Sequence, residues 1–215
     1  MYAISHAATA LLLKRRYPEA PIWPLLISVQ LVELLWVGLT FAGIERFAIA
    51  GDHVHLDFLP YSHSVVTGVG LGLAAWAVVA FIFGQRRLGV ALALGVVSHI
   101  LLDVIHHEPD IHLLPIAGGP VFGLNLQSWP LADLLVELAY GWVCWRLFRG
   151  RRSLMGAIVV FNLLDIPLMF PQPGTGAMLS AHPASLPAVI LVQIIASWVA
   201  VWWLSRPRET PRASL

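Results

Sequence analysis

The sequence predicts an all-α, polytopic membrane bundle: six spanning helices preceded by one short N-terminal apolar helix. Two observations carry this. Of the 215 residues, 58% are hydrophobic and only 12% are charged, against roughly 25% charged in soluble domains. So few charges cannot cover the surface of a soluble protein of this size. The apolar residues also gather into stretches near the length a helix needs to cross a bilayer, and the mean hydropathy is +0.77.

Seven such stretches follow in order, at 3–13, 21–43, 63–83, 88–107, 129–148, 153–170 and 184–204. The first is too short to span easily and is expected as a half-inserted or tilted helix. Ser62, after Pro60, is a candidate N-cap for the third. Pro109 ends the fourth. The Pro/Gly-rich connections 108–128 and 171–183 are expected as loops over the outer face. Residues 1–205 read as one integral membrane domain, and 206–215 as a disordered cytoplasmic tail. Apart from a recurring Ser-His dipeptide there is no internal repeat, so an inverted-repeat transporter has no support.

The cations set the orientation. Lys14, Arg15 and Arg16 follow the first stretch, and Arg86 and Arg87 separate the third from the fourth. Arg146, Arg149, Arg151 and Arg152 separate the fifth from the sixth, and Arg206, Arg208 and Arg212 follow the seventh. If the stretches alternate, all these fall on one side, which the positive-inside rule makes cytoplasmic. The opposite connections hold a single cation, Arg46. The N-terminus then faces outward, and with no basic region before the first apolar run a cleaved signal peptide is not expected. Most tryptophans lie near stretch ends, where aromatic belts form. A net charge of +1, with no basic tract interleaved with aromatics, gives no sign of nucleic-acid binding. The single cysteine, Cys144, excludes an intrachain disulfide and a cysteine-based zinc site.

This topology brings the ionisable residues to one depth. His6, Glu33, His63, His99 and Asp103 lie within or at the mouth of apolar stretches, in their outer halves. Asp133, Glu137 and Asp165 fall at a similar level. His99 and Asp103 are four apart and share one helix face. An ionised carboxylate near mid-bilayer costs on the order of 3 kcal/mol, so such groups mark functional sites and need a compensating cation. No Lys or Arg lies in the outer half of any stretch. A divalent metal, zinc above all, suits this mixture of imidazole and carboxylate, with one or two ions expected. Helix–helix hydrogen bonds account for one such residue, but not for the co-location of the set.

Asp133 and Glu137 are also four apart, where like charges repel. They read as a second cation site or as a protonated carboxyl acting as acid or base; the plainer alternative is a pair of acids reaching water near the membrane surface. His106 and His107 offer a further ligand or an interfacial position. Asn162 with Asp165 reads as a helix–helix contact, His53 and His55 as a solvated loop, and His182 carries no role. There is no G-x-S-x-G elbow, phosphate-cradling loop or H-E-x-x-H. Neighbours on a helix point about 100° apart, so no Ser-His dipeptide forms a catalytic pair by itself.

At "MYAISHAATALLLKRRYP", "PYSHSVV" and "SHILLD" the chain resembles the LexA-binding, inner-membrane-associated family of metal-dependent hydrolases. That family is distantly similar to the zinc-dependent phospholipase C and nuclease superfamily. The shared order is an N-terminal His, an acid, a His, then His-x-x-x-Asp. The resemblance covers residues 1–140 and implies His6, Glu33, His63, His99 and Asp103 as metal ligands, with Asp103 bridging two ions. It also implies a bacterial inner (cytoplasmic) membrane location. The phospholipases hold a third metal through a later His…His-x-x-x-Glu arrangement. Here Trp129 and Asp133 occupy the nearest spacing, and no counterpart of their free N-terminal ligand is evident.

These readings combine into a membrane-embedded, metal-dependent hydrolase. The expected substrate is a phosphoester of a lipid-like or small molecule at the outer, periplasmic or extracellular leaflet. Asp133 or Glu137 would position the attacking water or accept its proton. Membrane lipid is the expected partner; the sequence identifies no protein partner. The alternatives are an ion-coupled transporter or proton relay using the same cluster, and a scaffold with a structural metal.

Overall fold

Small residues dominate one early segment, and the bundle closes around it. The computed structural model describes residues 1–50, 53–116 and 119–206. Its first helix, α1 (Ala3–Arg16), buries Ser5, Ala7, Ala8, Thr9 and Ala10, which lets neighbouring backbones approach closely. α1 packs against α2 (Ile22–Val29), α5 (Arg86–His106), α6 (Pro130–Phe148), α7 (Arg152–Leu164) and α10 (Ser185–Ser205). The short first stretch, expected as a half-inserted or tilted helix, thus holds the centre. Ile4, Leu11, Leu25, Leu26, Leu154, Ile158 and Val201 form the main apolar core around it.

The second stretch is broken. α2 and α3 (Leu31–Phe41) meet at Gln30 with a bend of 56°. Gln30 is fully buried, and its Nε2 donates to the Ala3 carbonyl oxygen at 2.6 Å. A buried polar side chain at the joint, bonded to another helix, accompanies the break. Beyond the bend, the first turn of α3 places Glu33 beside His99 of α5 and His63.

The third stretch begins at α4 (Val65–Ala77) and continues through a π-helical turn, Val78–Ile82. Its N-cap is Ser64, whose Oγ accepts from the Thr67 N–H at 3.2 Å. This corrects the expectation of Ser62, whose hydroxyl is engaged by Glu45. α5 stops at His106, with His107 extended. After α7 come α8 (Ile166–Met169) and α9 (Thr175–Ala181), so the 171–183 connection holds a helix where a loop was expected. Two antiparallel hairpins complete the connections: β1 (Arg46–Ala50) with β2 (His53–Phe58), and β3 (Ile111–His112) with β4 (Val121–Phe122). His53 and His55, read as part of a solvated loop, belong to β2; their side chains lie outside the described set, as do residues 207–215 of the expected tail.

Among the described residues, four helical segments are long and apolar enough to cross a membrane: Val65–Ile82, α5, Arg152–Met169 and α10. The bent α2–α3 pair raises this to five, against the six expected. α6 is 19 residues long but carries Asp133, Glu137 and Arg146. Leu73, Phe81, Ile82, Val192 and Trp203 stay exposed on the outer helices, an apolar surface suited to lipid. The basic residues meet at one end of the bundle. Arg87 pairs with Glu19 at 3.3 Å, the Arg151 guanidinium donates to the Arg206 carbonyl, and Arg206 lies over the Trp202 ring.

Candidate metal centre

The polar set gathers away from that basic end. The first turns of α1 and α3 present His6 and Glu33, and the residue before the α4 cap presents His63. One face of α5, near its C-terminus, supplies His99 and Asp103. Ligand atoms of His6, His99 and Asp103 lie within 4.8 Å of one another, as do those of Glu33, His63 and His99. His99 belongs to both groups. All five residues expected as ligands are therefore brought together.

His99 is fully buried. Its Nδ1 lies 2.8 Å from the Val29 carbonyl oxygen, which can only accept, so Nδ1 carries the proton of that bond. Nε2 then turns to Asp103 Oδ2 at 3.0 Å and Glu33 Oε2 at 3.5 Å. His63 Nε2 approaches the same two oxygens, at 3.7 and 3.4 Å. His6 Nε2 is 3.2 Å from Asp103 Oδ1, and its ring stacks on that of His99 with centroids 3.9 Å apart. Buried His99 Nε2 and Asp103 Oδ2 have no hydrogen-bond partner. At His99 Nε2 and Asp103 Oδ2 imidazole and carboxylate lone pairs thus meet, while His6 Nε2, beside the Met1 carbonyl and Asp103 Oδ1, is the donor there. Buried polar atoms without partners call for an ion or a water, and a divalent cation matches two carboxylates in charge. The nitrogen and oxygen donors fit a first-row metal. The residues present fit the group.

The sequence reading gave the N-terminal residue no role. The Met1 amine lies 3.0 Å from Asp103 Oδ1, and the Met1 carbonyl oxygen lies 3.0 Å from His6 Nε2. Asp103 Oδ1 is thereby shared by His6 and the Met1 amine, while Oδ2 faces His99 and His63.

A second polar group lies beside the first. His106 Nδ1 is 3.0 Å from Asp133 Oδ1, and ligand atoms of His106, Asp133 and Glu137 lie within 4.8 Å of one another. Glu137 accepts from the Tyr2 N–H at 3.1 Å and from the Ser5 hydroxyl. Asp133 and Glu137 are 1% and 0% exposed, so they are not acids reaching water. Of the two adjacent histidines it is His106 that joins this group. Asp165 accepts from Gln193 Nε2 at 2.6 Å, an interhelical contact as expected. Asn162 instead donates to Ile158 O of its own helix.

Glu45 escaped the sequence reading. It is 1% exposed and accepts from the N–H groups of Tyr61 and Ser62 at 2.8 and 2.9 Å. The Ser62 hydroxyl donates to its second oxygen at 2.6 Å and lies 2.8 Å from His63 Nδ1. The available signal was an acid following an apolar stretch and facing a Ser-His dipeptide, which is too common to single out.

A cavity of about 430 Å³ opens beside these residues, within the usual range for small-molecule sites. Its lining includes His6, Glu33, His63, Asp103 and His106, and also Trp36, Leu168, Met169, Leu179 and Ile190. Asp133 and Glu137 stand behind His106 and Tyr2 and do not line it. No protein-family model, curated protein or solved structure matches this chain.

Proposed function

We propose that this protein is a membrane-embedded, metal-dependent hydrolase that cleaves a phosphoester in a lipid-like substrate. The carrying observation is the cavity, whose lining combines the imidazole and carboxylate cluster with apolar side chains. An amphiphile matches that lining, its charged head at the cluster and its chain against Trp36, Leu179 and Ile190. Zinc is the ion best suited to these donors. His6, Glu33, His63, His99 and Asp103 would hold one or two ions. A bound divalent ion supplies polarisation of a phosphoryl oxygen and a water that is nucleophilic at neutral pH.

The chain's own groups supply the rest. His106 lines the cavity and is the group placed to take or give a proton there. Asp133, bonded to its Nδ1, fixes the ring so that Nε2 is the nitrogen left to exchange. Glu137, held by Ser5 and Tyr2, anchors the N-terminal turn behind them. Trp36 with Leu168, Met169 and Leu179 of the α8–α9 segment lends the cavity an apolar lining beside the proposed metal centre.

An ion relay needs polar groups continuing toward the basic end. Beyond Val29 and Gln30 the bundle interior holds Leu11, Leu25, Leu26 and Ala91 with the hydroxyls of Thr9, Ser28 and Ser197, and among the described residues no buried imidazole or carboxylate. That lack of ionisable groups supports the enzyme over the carrier. With α6 counted as a sixth span, the cation distribution supports an inner-membrane protein of bacterial type, its site facing the periplasmic or extracellular side.

The test is phosphate release from phospholipids and polyprenyl phosphates in detergent, with and without chelator. Chelator-sensitive release abolished in Asp103→Ala is expected. No release from any of these lipids, together with a pH-gradient-driven flux in proteoliposomes lost in Asp103→Asn, would replace the hydrolase with a carrier.

A further inference from the structure

The connection between Glu45 and His63 has a direction. The Ser62 hydroxyl has one proton, and Glu45 Oε2, at 2.6 Å, takes it; a carboxylate that already accepts two backbone N–H groups has none to return. The Ser62 oxygen therefore accepts from His63 Nδ1 at 2.8 Å. With its proton on Nδ1, the neutral ring presents a bare Nε2 to the space between Glu33 and Asp103. Val29 O does the same for His99, but as a backbone carbonyl it has only one polarity. The Glu45 chain runs through a hydroxyl that can be reversed.

We propose that Glu45 is a positioning residue that sets the tautomer of His63 through Ser62 and so makes Nε2 a metal ligand. The proposal rests on the metal-centre reading above. All three members are buried, with Glu45 at 1%, Ser62 at 0% and His63 at 4% exposure, so water does not compete for the hydroxyl. Outer partners of this kind orient ligating histidines, and losing one typically costs about 10–100-fold in metal affinity.

Glu45→Gln reverses the chain at nearly constant shape. The amide oxygen keeps the Tyr61 and Ser62 N–H groups, while the amide nitrogen donates to the Ser62 oxygen. The Ser62 hydroxyl must then donate to His63 Nδ1, which moves the ring proton to Nε2. Two measurements on the full chain in detergent read this. Zinc affinity by chelator competition should fall about 10–100-fold in Glu45→Gln. ¹⁵N-histidine NMR of metal-free protein, with His63→Gln identifying the signals, should show Nδ1–H in the wild type and Nε2–H in Glu45→Gln.

Wild-type zinc affinity in Glu45→Gln would overturn the proposal. So would a lost affinity with the His63 tautomer unchanged, since Glu45 would then only clamp the loop. If Glu45→Gln does not fold, Ser62→Ala keeps both backbone bonds to Glu45 and removes the hydroxyl alone. It too should weaken zinc binding, and unchanged binding would overturn the proposal. A wild type that binds no zinc yet shows Nδ1–H on His63, reversed in Glu45→Gln, would remove the metal centre and leave the Glu45 relay standing.

Discussion

His106 Nδ1 stands 3.0 Å from Asp133 Oδ1, and this bond ties the last turn of α5 to the first turn of α6. The histidine borders the cavity and the carboxylate does not. In the proposed hydrolase Asp133 acts through His106, so Asp133→Asn should leave zinc bound while lowering kcat about 10²-fold or more, the usual scale for acid–base groups. His106→Ala should do the same, and the double variant should be little worse than either single one. Zinc content measured beside turnover checks this. Loss of zinc in step with activity in Asp133→Asn would make that carboxylate a ligand.

His99 is shared by both ligand groups of the main centre, so its loss should be felt by both. His99→Ala or Asp103→Ala should remove most of the bound metal, read by elemental analysis. Each should also destabilise the metal-loaded fold, because the binding energy of the ion is lost with its ligands. Chelation of the wild type should lower its Tm in the same direction. A metal-free preparation with unchanged Tm would count against the centre.

Orientation can be read by thiol labelling. Cys144 is buried and should stay silent. Ser128 lies exposed beside the cavity end, and Arg87 is 73% exposed at the basic end. In intact cells an impermeant reagent should modify Ser128→Cys and spare Arg87→Cys until the membrane is opened. Equal labelling of the two would defeat the positive-inside argument.

Gly141 on α6 faces Ile158 on α7 so closely that an added Cβ would sit 2.5 Å from Ile158 Cγ2. Gly141→Ala should therefore cost about 1–3 kcal/mol, the usual penalty for overfilling a packed core. Ile158→Ala removes the offending methyl and should recover part of the loss, whereas Ile158→Val retains it and should not. Thermal unfolding of the four proteins in one detergent decides it.

The ligand residues were legible because ionisable groups are costly in apolar segments, and five of them shared one depth. The helical stretches were legible for the same reason, as each begins and ends within a few residues of the expected bounds. Asp133 and Glu137 were found, but their burial behind His106 was not, because stretch-end acids look alike whether or not a helix covers them. Gln30 was visible as a polar residue in a long apolar run, yet nothing local shows that its amide reaches Ala3 and accompanies a break. Glu45 sits in a connection, where carboxylates are ordinarily solvated. The role of α1 was hidden by its brevity, since length alone says nothing about what encloses a helix.

α1 precedes in the chain every helix that encloses it, and α10, the last of these, supplies Val201 to the same core as Ile4 and Leu11. During synthesis, His6 therefore waits for α5 to bring His99 and Asp103, and the central helix stays unenclosed on one side until α10 emerges. The five candidate ligands are thus all present once α5 has emerged, about halfway through the chain, whereas the enclosure of α1 is completed only by α10. A nascent chain arrested before α10 would have the Ser5 and Thr9 hydroxyls already bonded to α6, through Glu137 and Tyr140, but would leave α1 open on the side that Val201 covers.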